Sequence, residues 1–334
     1  MSFIKKNKKN ERARCLPFSK NRKREYRTVK IMELLFQWLG TLPGAAAQGL
    51  VWGLMAIGLY ITYKILDVAD LTVDGSICTG AAVCTVLLTN GVNIWVAMLC
   101  ALVAGLLAGF VTGCLHTMFG IPAILAGILT QLMLWSVNLL IMGGRANIAI
   151  TRLKYADKVL ISSGSTDVYK TIVILAVFTG AIVALLYWFF GTELGSSLRA
   201  TGNNLEMSRA QGINTDFTKV FGLALSNGIV AISGSLLAQQ QGSADINMGR
   251  GAIVIGLAAI IVGEAMCPKL VTNFAIRLLC VAGGAIIYWF VFQTVVFMGL
   301  PSELLKMLSA LVVALFLGVP YLKKTYFSKK RKAR

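Results

Sequence analysis

Three carboxylates crowd one short stretch of an otherwise apolar chain. Residues 67–80 read Asp-Val-Ala-Asp-Leu-Thr-Val-Asp-Gly-Ser-Ile-Cys-Thr-Gly, so Asp67, Asp70 and Asp74 lie beside Thr72, Gly75, Ser76 and Gly80. Charge at membrane depth is costly, and non-helical backbone there must be lined by protein or water. Such a stretch suits a broken helix along a solute pathway. It also suits a coupling site for a cation. An interfacial loop whose acids face water fits the same residues. A second polar cluster ends a later apolar segment: Gln239, Gln240 and Gln241, then Gly242, Ser243 and Asp245. It reads as a polar gate or as a solvated cap.

Signs of catalysis are missing. His116 is the single histidine, has no cysteine or acidic ligand pattern around it, and reads as structural. No H-E-x-x-H, G-x-S-x-G or phosphate-loop pattern occurs. The seven cysteines (Cys15, Cys78, Cys84, Cys100, Cys114, Cys267 and Cys280) form no C-x-x-C pair. Most lie in apolar segments, where cysteine packs as a small hydrophobe. No catalytic residue, cofactor or metal site is therefore expected.

The elements that must hold these residues are membrane helices. Of 32 Lys plus Arg, 12 lie in residues 1–30 and 7 in residues 321–334. The net charge of +18 thus belongs to two tails, and the body between them is nearly neutral and very apolar. Basic tails of this kind meet lipid headgroups or follow cytoplasmic orientation rules. No basic face outside the tails supports nucleic-acid binding. A spanning helix needs about 20 mostly apolar residues, and the hydropathy supplies nine candidates: 42–66, 72–90, 93–115, 121–143, 171–190, 218–240, 252–267, 272–298 and 303–320. The 72–90 and 252–267 pieces are short or broken by glycine. The fold class is all-α, a polytopic membrane protein of about nine transmembrane segments. Its domains are a basic, unpatterned and disordered arm or mis-assigned start at 1–31, a transmembrane domain at 32–322 and a basic cytoplasmic tail at 323–334. Met32 is a plausible alternative start.

If the C-terminal tail is cytoplasmic, walking back through the spans puts 191–219 inside and 144–170 outside. Nine crossings then place residue 31 outside, although a basic arm favours the inside. Either 72–90 is re-entrant or the arm is atypical. Asp70-Leu71-Thr72-Val73 and Asp245-Ile246-Asn247-Met248 each precede a short, glycine-broken segment, five spans apart. An odd offset makes an inverted repeat, a common transporter construction. Gly105, Ala108, Gly109 and Gly113 run along one segment at a spacing that lets helix backbones approach closely. Glu264 forms an ion pair or reaches the interface.

Residues 199–214 hold the most specific pattern: Arg199, Ala200, Gly202, Asn204, Arg209, Ala210, Gly212, Ile213 and Asn214. Asn203 or Asn204 is placed to cap a short helix, and Gly212 to end it at positive φ. Such a helix either docks in a groove of another protein or is an amphipathic connector.

That pattern resembles the coupling segment of permease subunits in binding-protein-dependent ABC importers, in the branch holding branched-chain amino acid and ribose permeases. The runs 70–76 and 238–249 resemble its tryptophan/tyrosine-type subgroup. The likeness covers roughly residues 32–320, and the basic arm departs from it. It implies a multi-pass permease of the bacterial plasma membrane, with 32–322 as its transmembrane permease domain, that pairs with a second copy of itself. Two cytoplasmic ABC ATPase subunits would dock at 199–214 and use the ATP, and an extracytoplasmic substrate-binding lipoprotein would deliver the solute, an amino acid such as tryptophan or tyrosine. Asp70, Thr72, Asp74, Gly75, Ser76, Gln240 and Asp245 are the expected pathway residues. The competing reading is a stand-alone, ion-coupled secondary transporter, with Asp67, Asp70 and Asp74 as its only candidate ion cluster.

Overall fold

A computed structural model describes residues 20–150, 160–161, 168–266 and 273–299, with isolated residues between 304 and 318. It consists of two units, Met1–Leu42 and Pro43–Arg334. The described part of the first unit is helical, within α1 (Lys20–Tyr60). Helix therefore begins at Lys20, inside the stretch read from sequence as an unpatterned arm. Residues 1–19 and the tail at 323–334 lie outside the described residues, as do most of those in the expected segment at 303–320.

The second unit carries the remaining elements. A single π turn, Ile61–Ile65, comes directly after α1. Then come α2 (Val73–Thr89), α3 (Ile94–Thr117), α4 (Ala123–Ile141), β1 (Asn147–Ala149), α5 (Val168–Phe190), α6 (Glu193–Asn203) and α7 (Leu205–Ala210). The chain continues through α8 (Thr215–Gln241), β2 (Ser243–Asp245), α9 (Ala252–Met266) and α10 (Phe274–Phe297). Among the described residues, 6 helices are long and apolar enough to cross a membrane, and α2 and α9 are shorter apolar helices. Helix is the form such segments must take, because it pairs their backbone groups internally where lipid offers no partner.

Short polar residues set the helix ends. Asn93 accepts a hydrogen bond from Trp95 N at the start of α3, and Asn214 accepts one from Phe217 N at the start of α8. Gly242 closes α8 at φ 70°.

Contacts fix the direction of each helix. Along α8, Asn227 meets Ser76, and Ala231 lies against Gly80, so α2 runs parallel to α8. The α3 glycines at 105, 109 and 113 lie against Asn227, Leu223 and Val220 in turn, so α3 runs the other way. A Cβ on any of them would overlap the α8 backbone, which makes these glycines the seam of the bundle. Ser226 donates to the Gly58 carbonyl and Ser233 to that of Val51, so α1 is antiparallel to α8. Gly256 packs on Leu59, and Glu264 pairs with Lys64 at 3.2 Å, so α9 runs with α1. The two short helices therefore run in opposite senses.

The bundle has two ends. At one, β1 and β2 form an antiparallel ribbon in the register Asn147↔Asp245 and Ala149↔Ser243. At the other lie α6 and α7. The described start of the 144–170 loop and the 191–219 region thus sit at opposite ends. The latter is two helices and the first turn of α8 rather than a loop.

Candidate functional site

The short helices begin where the chain folds back into the bundle. Residues 66–72 lead from the π turn to the start of α2, and residues 246–251 lead from the ribbon to the start of α9. The same local device shapes both leads. Thr72 N donates to Asp70 Oδ1 at 2.9 Å, and Asn247 N donates to Asp245 Oδ1 at 2.7 Å. These are Asx turns, in which a carboxylate replaces a backbone acceptor two residues back. The two starts meet at Asp74, in the first turn of α2. Its Oδ2 accepts from Gly251 N at 3.0 Å and its Oδ1 from Ile253 N at 2.9 Å. Helix N-termini favour anions because their first N–H groups lack intrahelical partners. Here the anion is a side chain of the opposed helix.

Cys78, one turn on, fastens the same lead. It donates to the Ile246 carbonyl at 3.3 Å and accepts from Gly249 N at 3.2 Å. Its sequence context shows only a packing residue, because these partners lie 168 and 171 residues away.

The expected pathway residues fall into three groups. Asp70, Thr72 and Ser76 are sealed in the bundle. Asp70, 1% exposed, accepts from Asn227 Nδ2 at 2.7 Å, and Ser76 Oγ donates to Asn227 Oδ1 at 2.6 Å. Thr72 Oγ1 and Thr112 Oγ1 lie 2.8 Å apart. These three buried residues tie α2 and its lead to α3 and α8. Asp74 and Gly75 do line a cleft, of about 210 Å³, with Cys78, Gln131, Leu132, Trp135, Asn138, Ile246 and Arg250. Gln240 and Asp245 lie apart, at the ribbon. Asp245 Oδ2 accepts from Asn147 Nδ2 at 3.3 Å.

Sequence reasoning passed over Gln131, Leu132, Trp135, Asn138 and Arg250 in this cleft, and Asn138 stands out among them. It is 1% exposed, and neither amide atom has a hydrogen-bond partner in the protein. Leaving a buried polar group unsatisfied costs about 1–3 kcal/mol. Two amides at helical spacing in the apolar run 121–143, Gln131 and Asn138, were the available signal.

Asp67, Asp70 and Asp74 do not come together. Asp67 is exposed at φ 54°, Asp70 is on Asn227, and Asp74 is on α9. Among the described residues no group of three or more His, Cys, Asp or Glu is placed to hold a metal ion. His116 Nδ1 lies 2.8 Å from the Ile121 carbonyl oxygen, in a turn contact.

At the opposite end, the 199–214 residues are distributed over α6, α7 and the turn into α8. Arg199 lies with its guanidinium 5.1 Å from the Phe190 ring centre and 4.6 Å from that of Phe274. Ala200 and Gly202 are on α6, and a Cβ on Gly202 would overlap the Ile65 carbonyl, so α6 rests directly on the π turn. Asn204 breaks α6 from α7 and caps the latter, accepting from Met207 N at 3.0 Å. Arg209 Nε donates to Thr215 Oγ1 at 3.0 Å, and its guanidinium lies 3.5 Å from Asp216. Ala210 ends α7, Gly212 turns the chain at φ 78°, and Ile213 leads to the Asn214 cap of α8. Beside this platform a cleft of about 390 Å³ is lined by Tyr60, Lys64, Ile65, Arg199, Asn203, Phe274 and Arg277.

Residues 42–317 match the family described as the permease component of branched-chain amino acid transport systems. The chain is 40% identical over 271 residues to the tyrosine transport system permease protein of Clostridioides difficile, covering 81% of this chain and 88% of that one. An uncharacterised protein of Rickettsia prowazekii is 32% identical over 282 residues, covering 84% of this chain and 98% of that one. The autoinducer 2 import system permease protein LsrC of Salmonella paratyphi B is 29% identical over 240 residues, covering 72% and 64%. No solved structure matches. A match over most of the bundle, with both short helices inside it, leads to one assignment: the chain belongs to the family of permease components of branched-chain amino acid transport systems.

Proposed function

We propose that this chain is the membrane subunit of an ATP-driven importer of an aromatic amino acid, tyrosine or tryptophan. The observation that carries this is the 40% identity to a tyrosine transport system permease over 81% of the chain. The chain crosses the bacterial plasma membrane nine times, each short helix and its lead together making one crossing, and pairs with a second copy of itself. The α6–α7 end is cytoplasmic and the ribbon end faces outward. Two ABC ATPase subunits supply the ATP hydrolysis, and an extracytoplasmic lipoprotein delivers the solute.

Two features of the bundle support this reading. The α6–α7 platform is capped, turned by Gly212 and seated on the π turn through Gly202, so force applied to it reaches α1 directly. The opposed short helices and their leads are joined through hydrogen bonds of Asp74 and Cys78, so separating them breaks few such bonds. That is the construction expected where one repeat rocks against another. The separation of Asp67, Asp70 and Asp74 leaves the ion-coupled carrier without its cluster.

The test is affinity purification of the tagged chain from its native membrane. Retention of an ATPase and a lipoprotein supports the importer. A lone oligomer that still transports tyrosine overturns it.

A further inference from the structure

The cleft at the start of α2 has the chemistry of a ligand site. Gln131, Trp135 and Asn138 recur at helical spacing, so α4 presents them on one face. They look onto Asp74 from α2 and Arg250 from the lead into α9. The cleft thus offers one carboxylate, one guanidinium, a buried amide with no partner at either end, and an indole that is 44% exposed beside Leu132. Asp74 already accepts two backbone N–H groups, but an ionised carboxylate has about four lone-pair sites. That leaves room for a cationic donor. At about 210 Å³ the space is below the roughly 300–1,000 Å³ typical of pockets for drug-sized ligands. It suits a small solute carrying both charges and a flat apolar body.

We propose that this cleft is a solute-recognition subsite within the permease itself, built for the zwitterionic form of an aromatic amino acid. Arg250 takes the carboxylate, Asp74 the ammonium, Asn138 a polar group of the solute, and Trp135 with Leu132 the ring. The choice of solute rests on the importer reading above, whereas the placement of the subsite rests on the cleft. Selection is then made twice, once by the delivering protein and once at the junction of the short helices. Because Asp74 also holds α9, an ammonium bound there competes for the carboxylate that joins those helices.

The test is direct binding of radiolabelled tyrosine to the full chain in lipid nanodiscs, without ATPase, lipoprotein or ATP. Tyramine, which lacks the carboxylate, serves as competitor. Three variants are compared, each checked for monodisperse elution: Asn138→Leu, Trp135→Ala and Arg250→Gln. The last two alter exposed side chains. Saturable binding is expected, weakened about tenfold or more in Asn138→Leu and Arg250→Gln, the scale of one lost hydrogen bond to a charged group. Arg250→Gln should also lose the preference for tyrosine over tyramine. No saturable binding, or unchanged affinity in all three variants, overturns the subsite. The importer reading fails separately: a chain that retains its ATPase while binding is unaffected by the variants keeps the importer and loses the subsite. Binding that depends on these residues in a chain retaining no ATPase does the reverse.

Discussion

Asn227 Nδ2 donates to Asp70 Oδ2 at 2.7 Å across 157 residues of sequence. The same amide accepts from Ser76 through Oδ1. One asparagine near the middle of α8 therefore satisfies both a buried carboxyl and a buried hydroxyl at the start of α2. Replacing it by leucine strands the Ser76 hydroxyl and takes the donor from Asp70 Oδ2, leaving that carboxyl only its Thr72 contact, at a cost of about 1–3 kcal/mol for each lost partner. Asn227→Leu should lower the unfolding temperature in detergent much more than Ser76→Ala. An equal effect of the two would show that the Asp70 contact contributes nothing.

Asp74 is expected to act as a joint between the short helices. Asp74→Ala removes the acceptor of two N–H groups at the start of α9, a loss comparable to an N-cap at about 0.5–2 kcal/mol. Asp74→Asn keeps an acceptor oxygen without the full charge, so its stability should fall between the two. Thermal unfolding of the three proteins in one detergent checks the order. Alanine and wild type unfolding together would refute the joint.

Gly202 and Gly212 should fail differently. A Cβ at Gly202 meets the Ile65 carbonyl, so Gly202→Ala must lift α6 from the π turn. Gly212 has open space around it and a φ of 78°, so a substitution there costs about 1 kcal/mol of backbone strain but meets no obstacle. Gly212→Arg should insert normally and lose ATPase retention by steric bulk at the docking surface. Gly202→Ala should retain the ATPase yet uncouple its hydrolysis from uptake. Pull-down combined with an uptake assay separates the two, and normal ATPase retention in Gly212→Arg counts against docking at this end.

Sidedness is testable at the two ends of the bundle. Asn147 is exposed at the ribbon and Glu206 is exposed on α7. In intact cells, an impermeant thiol reagent should label Asn147→Cys and spare Glu206→Cys until lysis, in a background lacking the native cysteines. The opposite pattern would invert the protein.

The repeat Asp70-Leu71-Thr72-Val73 and Asp245-Ile246-Asn247-Met248 is legible in the sequence, because each aspartate makes its turn with the residue two places on. The distance from turn to helix is not legible: α2 starts at Val73, while α9 waits until Ala252. Capping is legible for the same local reason, with Asn204 before α7 and Gly212 after it. The pathway is less so. Asp70, Thr72 and Ser76 look like lining residues by type, yet α3 and α8 close over them, and only tertiary packing decides that. Asn138 and Asn227 are amides in apolar runs that hold other amides too, Gln131 in one and Gln239 and Gln240 in the other, and only neighbours on other helices set them apart. The first helix starts earlier than hydropathy indicates, since the basic stretch from Lys20 is continuous with the helix of the first apolar run.

ATP-driven import of an aromatic amino acid through this chain can be reconstituted. Radiolabelled tyrosine and tryptophan would be offered to proteoliposomes holding the chain with its co-purified ATPase and lipoprotein, with ATP inside and ion gradients collapsed. Accumulation should require ATP and the lipoprotein and persist without a proton or sodium gradient. Uptake that ignores ATP and vanishes with the gradient would contradict the importer.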